Sequence, residues 1–143
     1  MVFSVLVYIK KITMKLTKNF NKSEFECSCG CNMPADVLAN IKIVAENLQI
    51  LRDYIEAPIT INSAYRCEKH NRRIGGAVNS QHILGKASDI VAHGFTPDEV
   101  FDIVQNLRRN PMVKGVIFQG LGRYNTFTHV DIRKNYATWD LRK

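Results

Sequence analysis

The sequence predicts an α+β domain, with a small, mainly antiparallel sheet and helices packed on one side of it. Three observations predict it. Apolar residues recur at helical spacing over residues 34–54 and again over 96–109. Short β-branched or alternating runs occupy residues 57–64, 90–91, 113–118 and 127–132. These segments do not follow the regular strand–helix–strand alternation that a doubly wound parallel sheet needs.

Length and composition bound the rest. At 143 residues, with 45% hydrophobic and 23% charged residues, the chain is long enough for one proper core and too short for two ordinary domains. No apolar run approaches the roughly 20 residues of a membrane span, so none is expected. A net charge of +7 favours polyanions in general. Charge alone does not choose among nucleic acid, teichoic acid and acidic glycans, and without a recognition motif no nucleic-acid partner is expected.

Five lysines (Lys10, Lys11, Lys15, Lys18, Lys22) precede Glu24, the first acidic residue, and read as a solvated basic arm. Residues 2–9 are apolar, but no basic residue precedes them and no small-residue cleavage pattern follows, so a secretory signal is not expected. Residues 1–13 read as an added edge strand or as a stretch ahead of a true start at Met14. The division is therefore an arm or extra edge strand over 1–16 and one domain over 17–143, expected as a monomer.

In chain order, residues 21–26 carry a helix-start signature, with Asn21 or Ser23 as cap and Glu24 and Glu26 nearby. Cys27, Cys29 and Cys31 follow at every second position, and Cys67 completes a set of four thiols. That spacing is tighter than the usual C-x2-C metal knuckle, so reduced cysteines are favoured over a disulfide or a second metal. Residues 34–54 form the long core helix, with Pro34 in its first turn and Asp36 at its positive end. Ile59 and Ile61 alternate with polar neighbours in a half-buried strand that delivers Tyr65 and Arg66 at its end.

Residues 68–74 read as a short helix closed by Gly75 and Gly76, with His70 facing solvent. His93 also reads as solvent-facing. Thr96, Pro97 and Glu99 make a strong helix start: a hydroxyl cap, a proline at the first position and an acid where a capping box needs it. Residues 113–118 read as a strand, and G-L-G-R-Y-N as a turn into the next one. Trp139 reads as packing on the body, and less favourably as a wall of a cleft.

The chemistry lies in two stretches. In N-S-Q-H-I-L-G-K-A-S-D, His82 and Asp89 are joined by a glycine-containing turn and anchored by the β-branched pair Ile90 and Val91. In F-T-H-V-D-I-R, period-two alternation puts His129 and Asp131 on one strand face and Val130 and Ile132 on the other. Neutral imidazole plus carboxylate suits zinc, and three ligands from His82, Asp89 and His129 leave a fourth position open, as in a catalytic site. Arg66 can grip a substrate carboxylate or stabilise an oxyanion. The Ser80 hydroxyl can bond substrate or orient the site.

Ser80-x-His82-x-x-Gly85-x-Ala87-x-Asp89 followed by His129-x-Asp131 resembles the zinc D-Ala-D-Ala carboxypeptidase family of cell-wall peptidases. The runs I-N-S-A-Y-R-C and N-R-R-I-G-G-A extend the resemblance, which covers roughly residues 17–142. It implies a hedgehog-like α+β fold, one catalytic Zn²⁺ held by His82, Asp89 and His129, and a peptidoglycan peptide as substrate. Better-known members carry an acid three residues before the last histidine, where this chain has Thr126. Asp131 is then the nearest acid for the general base, with orientation of a ligand histidine as its alternative role. The expected activity is a D,D-carboxypeptidase or lytic endopeptidase, with a non-catalytic zinc module binding an acidic wall polymer as the competing reading. Without a signal, such an enzyme would be released by another route, as phage lysis proteins are, or act inside the cell.

Overall fold

In a computed structural model, residues 14–143 are described; of the expected arm or edge strand over 1–16, residues 1–13 lie outside them. Asn21 opens a 3-10 helix, Lys22–Phe25, and its backbone N–H donates to the Glu24 carboxylate at 2.7 Å. Helix α1 runs Ala35–Ile55 and buries Val37, Ile41, Val44, Ala45, Leu48 and Leu51, the stripe its periodicity predicts. Truncating one of these, such as Leu48→Ala, would cost about 2–5 kcal/mol. The helix ends at Glu56, whose left-handed backbone (φ 51°) breaks the spiral ahead of Pro58.

Strand β1 (Ile59–Ser63), helix α2 (Glu68–Arg73) and strand β2 (Ala87–Ala92) follow. Helix α3, Pro97–Arg109, starts as its capping residues require, with the Thr96 hydroxyl accepting from Glu99 N–H at 3.1 Å. Strands β3 (Gly120–Arg123), β4 (Thr128–Asp131) and β5 (Ala137–Asp140) complete the sheet. Its order is β1-β2-β4-β3-β5, antiparallel throughout except for the parallel β3–β5 pair. No helix among the described residues is long and apolar enough to cross a membrane.

Two expectations are corrected here. Residues 113–118 are not a strand. Val116 and Phe118 do bury their side chains, but the Ile117 N–H donates to the side chain of Asn47 on α1 at 2.8 Å instead of to a neighbouring strand. The strand falls instead on Gly120–Arg123, within the segment read as a turn. Its glycines make room for large neighbours: a Cβ on Gly120 would stand 2.0 Å from the Asp131 carboxylate, and one on Gly122 would stand 2.5 Å from the Trp139 ring.

The register sorts the sheet into two chemically distinct faces. Ile90, Leu121 and Val130 join the α1 and α3 side chains in the apolar core. On the opposite face one row of partners crosses all five strands: Ser63 beside Asp89, Asp89 beside His129, His129 beside Gly122, and Gly122 beside Trp139. The next row runs Ala87, Asp131, Gly120, Ala137. Helices α1 and α3 thus occupy one face and polar chemistry the other.

Candidate metal centre and its cleft

Asp89 and His129 arrive as direct cross-strand partners, so their side chains meet by pleat geometry. The Asp89 Oδ1 atom lies 2.9 Å from His129 Nδ1 and 3.3 Å from His82 Nε2. His82 comes from the loop before β2. Its ring Nδ1 lies 2.6 Å from the Ala64 carbonyl oxygen, which can only accept, so Nδ1 carries the proton and the Nε2 lone pair faces Asp89. The Ser80 hydroxyl accepts from the His82 backbone N–H at 3.2 Å and steadies that loop.

The other nitrogen of His129, Nε2, sits 2.8 Å from Asp131 Oδ2. Asp131 is fully buried and is gripped on both oxygens by Arg133, at 2.6 Å from Nη2 and 2.8 Å from Nε. Burial works against the charge on Asp131, but the Arg133 and then the His129 hydrogen bonds outweigh it and hold its carboxyl well below the usual carboxylate range. Asp89 is depressed for the same kind of reason: burial opposes ionisation, and the hydrogen bonds of His129 and His82 prevail. His129 moves the other way. Burial alone would lower it, yet the two flanking carboxylates raise it.

Donor atoms of His82, Asp89 and His129 lie within 4.8 Å of one another, and all three residues are buried. Two ligands at about 2.0–2.1 Å from a tetrahedral ion stand about 3.3–3.4 Å apart, close to the spacings found here. With one imidazole tautomer fixed by Ala64 and the outer nitrogen of the other facing a carboxylate, the set fits zinc, and it opens on one side to a cleft of about 410 Å³.

Arg66 and Ser80 both line that cleft, as expected. Arg66 is more tied down than a free substrate grip would be, donating to Asp89 Oδ2 at 3.2 Å, Ser63 Oγ at 3.0 Å and Asn71 Oδ1 at 3.2 Å. His70 is half-buried, not solvent-facing, and His93 is exposed; neither lines the cleft. Trp139 does line it, in the less favoured of its two expected places, with its ring 5.1 Å from His129 and its Nε1–H donating to the Tyr124 hydroxyl at 3.0 Å. Sequence reasoning missed Arg133, Tyr124 and Phe127. The signal for Arg133 was present: a cation two residues after an acid that the strand pattern buries.

Residues 18–131 match the family described as Peptidase M15. The zinc D-Ala-D-Ala carboxypeptidase of Streptomyces albus G is 30% identical over 111 residues, covering 77% of this chain and 42% of that protein. This chain therefore spans less than half the length of that relative. The matched stretch takes in His82, Asp89 and His129 as well as most of the sheet that aligns them, and the chain belongs to the M15 peptidase family.

Proposed function

We propose that this chain is a zinc peptidase that hydrolyses peptide bonds in peptidoglycan stem peptides, as a D,D-carboxypeptidase or a lytic endopeptidase. The observation that carries the reading is the convergence of His82 Nε2, Asp89 Oδ1 and His129 Nδ1 on one point at the floor of an open cleft. The substrate class follows from family membership together with a relative that is a D-Ala-D-Ala carboxypeptidase.

His82, Asp89 and His129 would hold the ion, which when bound polarises the scissile carbonyl and acidifies a water. Asp131 accepts from His129 Nε2–H, which fixes the tautomer and the ring plane so that Nδ1 faces inward. With both oxygens engaged and no exposure, Asp131 serves as this orienting group and not as the general base that spacing alone allowed. Arg66 steadies the second oxygen of Asp89 and lines the cleft, where its positive charge would stabilise developing negative charge on a peptide oxygen. Trp139, Tyr124 and Phe127 form an aromatic wall suited to the small apolar side chains of a stem peptide.

Mass spectrometry of peptidoglycan digested with the zinc-loaded protein tests the reading. Loss of terminal alanine identifies a carboxypeptidase, and opened cross-links identify an endopeptidase. Peptidoglycan that is retained on the protein but unchanged in mass would overturn the peptidase reading in favour of a binding module.

A further inference from the structure

The four cysteines form a second convergence, away from the cleft and not used by the chemistry above. Cys27 Sγ lies 3.3 Å from Cys29 Sγ and 3.9 Å from Cys67 Sγ, and Cys29 Sγ lies 3.6 Å from Cys67 Sγ. Cys31 joins them, with all four sulfurs within 4.8 Å of one another. All four are free thiols.

The chain reaches this arrangement through a turn and not through the extended segment that alternate spacing would need. Gly30 N–H donates to the Cys27 carbonyl at 3.0 Å, and Gly30 takes a left-handed backbone (φ +81°) that curls Cys29 and Cys31 back toward Cys27. Cys67 is brought in from the far side of β1, and the Tyr65 N–H to Phe25 carbonyl bond at 3.0 Å fixes the two segments together. Two backbone amides point at sulfur: Cys67 N–H toward Cys27 Sγ at 3.5 Å and His70 N–H toward Cys67 Sγ at 3.4 Å.

Four sulfurs at about 2.3 Å from a tetrahedral ion stand about 3.8 Å from each other, in the range of the spacings found here. A disulfide would join two sulfurs at about 2.05 Å and leave the other pair unexplained. We propose that Cys27, Cys29, Cys31 and Cys67 hold a second zinc ion in a closed, structural tetrathiolate site. All four positions around that ion are filled by protein, so it takes no part in hydrolysis. Its place in the fold assigns its role: Cys67 directly follows Arg66, so the ion ties the amino-terminal turn to the strand end from which Arg66 reaches Asp89. Binding displaces the thiol protons, so uptake is accompanied by proton release.

Metal content separates the two centres. Protein purified under reducing conditions should carry two zinc equivalents per chain, falling to one in His129→Ala and to one in Cys29→Ser/Cys31→Ser. Replacement by cobalt(II) in His129→Ala should give the intense visible absorption and sulfur-to-metal charge-transfer bands of a tetrahedral tetrathiolate. If the double cysteine variant does not fold, thiol titration of the wild type decides: the four thiols should resist modification until a chelator is added and then react together. A single zinc in the wild type, four thiols that react at once without chelator, cysteines recovered as disulfides, or iron with inorganic sulfide in place of zinc would each overturn the proposal.

Discussion

Asp89 and His129 face each other across paired strands, whereas Cys27, Cys29 and Cys31 lie on a single turn and need only Cys67 from elsewhere. The first cluster owes its geometry to sheet register, hard nitrogen and oxygen donors, and carboxylate and arginine side chains that hold the ligands from behind. The second owes its geometry to a local backbone conformation and offers only soft sulfur. One opens on a cleft and the other is closed by its own ligands. The difference teaches that substitutions near the first should abolish chemistry while the apolar core keeps the chain folded, whereas those in the second should change stability with little effect on chemistry.

The largest expected effect is a double dissociation. His129→Ala should lose turnover down to the buffer blank yet keep a cooperative unfolding transition. Cys29→Ser should lower the unfolding midpoint while the folded fraction keeps its turnover per active-site zinc. Calorimetry and peptide hydrolysis on both variants check this, and a cysteine variant that melts like wild type would erase the contrast.

Asp131→Asn comes next. Removing the acceptor behind His129 should weaken metal affinity by about 10- to 100-fold while turnover at saturating zinc stays near wild type. A competition titration against a chelating dye reads the affinity. Unchanged affinity with turnover reduced by about 10²-fold or more would restore the general-base role to Asp131.

Arg66→Lys keeps the charge but gives up the planar fork that spans Asp89, Ser63 and Asn71. Turnover should fall by about 10-fold, on the order of 1.4 kcal/mol in the barrier, with both metals retained. Steady-state kinetics with metal analysis on the same sample would show it, and wild-type turnover would leave Arg66 a purely structural part. The smallest change is expected from Trp139→Phe, which keeps a ring beside His129 and loses the bond to the Tyr124 hydroxyl. KM should rise by about 2- to 10-fold, from a hydrogen bond of about 0.5–1.5 kcal/mol, with kcat unchanged. An equal fall in kcat would place Trp139 in the chemistry instead.

What could be read before folding was whatever rests on local rules. Thr96, Pro97 and Glu99 specify the start of α3 through contacts within one turn, and the α1 stripe depends only on helical period. Asp89 and His129 were legible because each sits on a strand marked by β-branched neighbours. Strand β3 was not, because Gly120 and Gly122 have poor strand propensity and are explained only by the Asp131 and Trp139 side chains they accommodate, one eleven and the other seventeen residues further along. The reverse error at residues 113–118 has the same origin: Val116 and Phe118 are apolar because they enter the core, and the partner of Ile117 is an asparagine seventy residues away. The fourfold approach of the cysteines depends on a left-handed glycine and on Cys67 folding back, neither of which the spacing of the sulfurs reveals.

The row from Ser63 to Trp139 draws one residue from each of five strands. A slip of one residue between β2 and β4 would set Asp89 beside Val130 or Thr128 and swing the acid into the helix-covered core. An ion held by His82, Asp89 and His129 therefore has nowhere to bind on a mispaired chain, and its binding free energy accrues to the correctly paired sheet alone. During refolding the metal would act as a proofreader of strand pairing, and the moment at which the chain becomes competent to bind it reports that β2 and β4 have found their register.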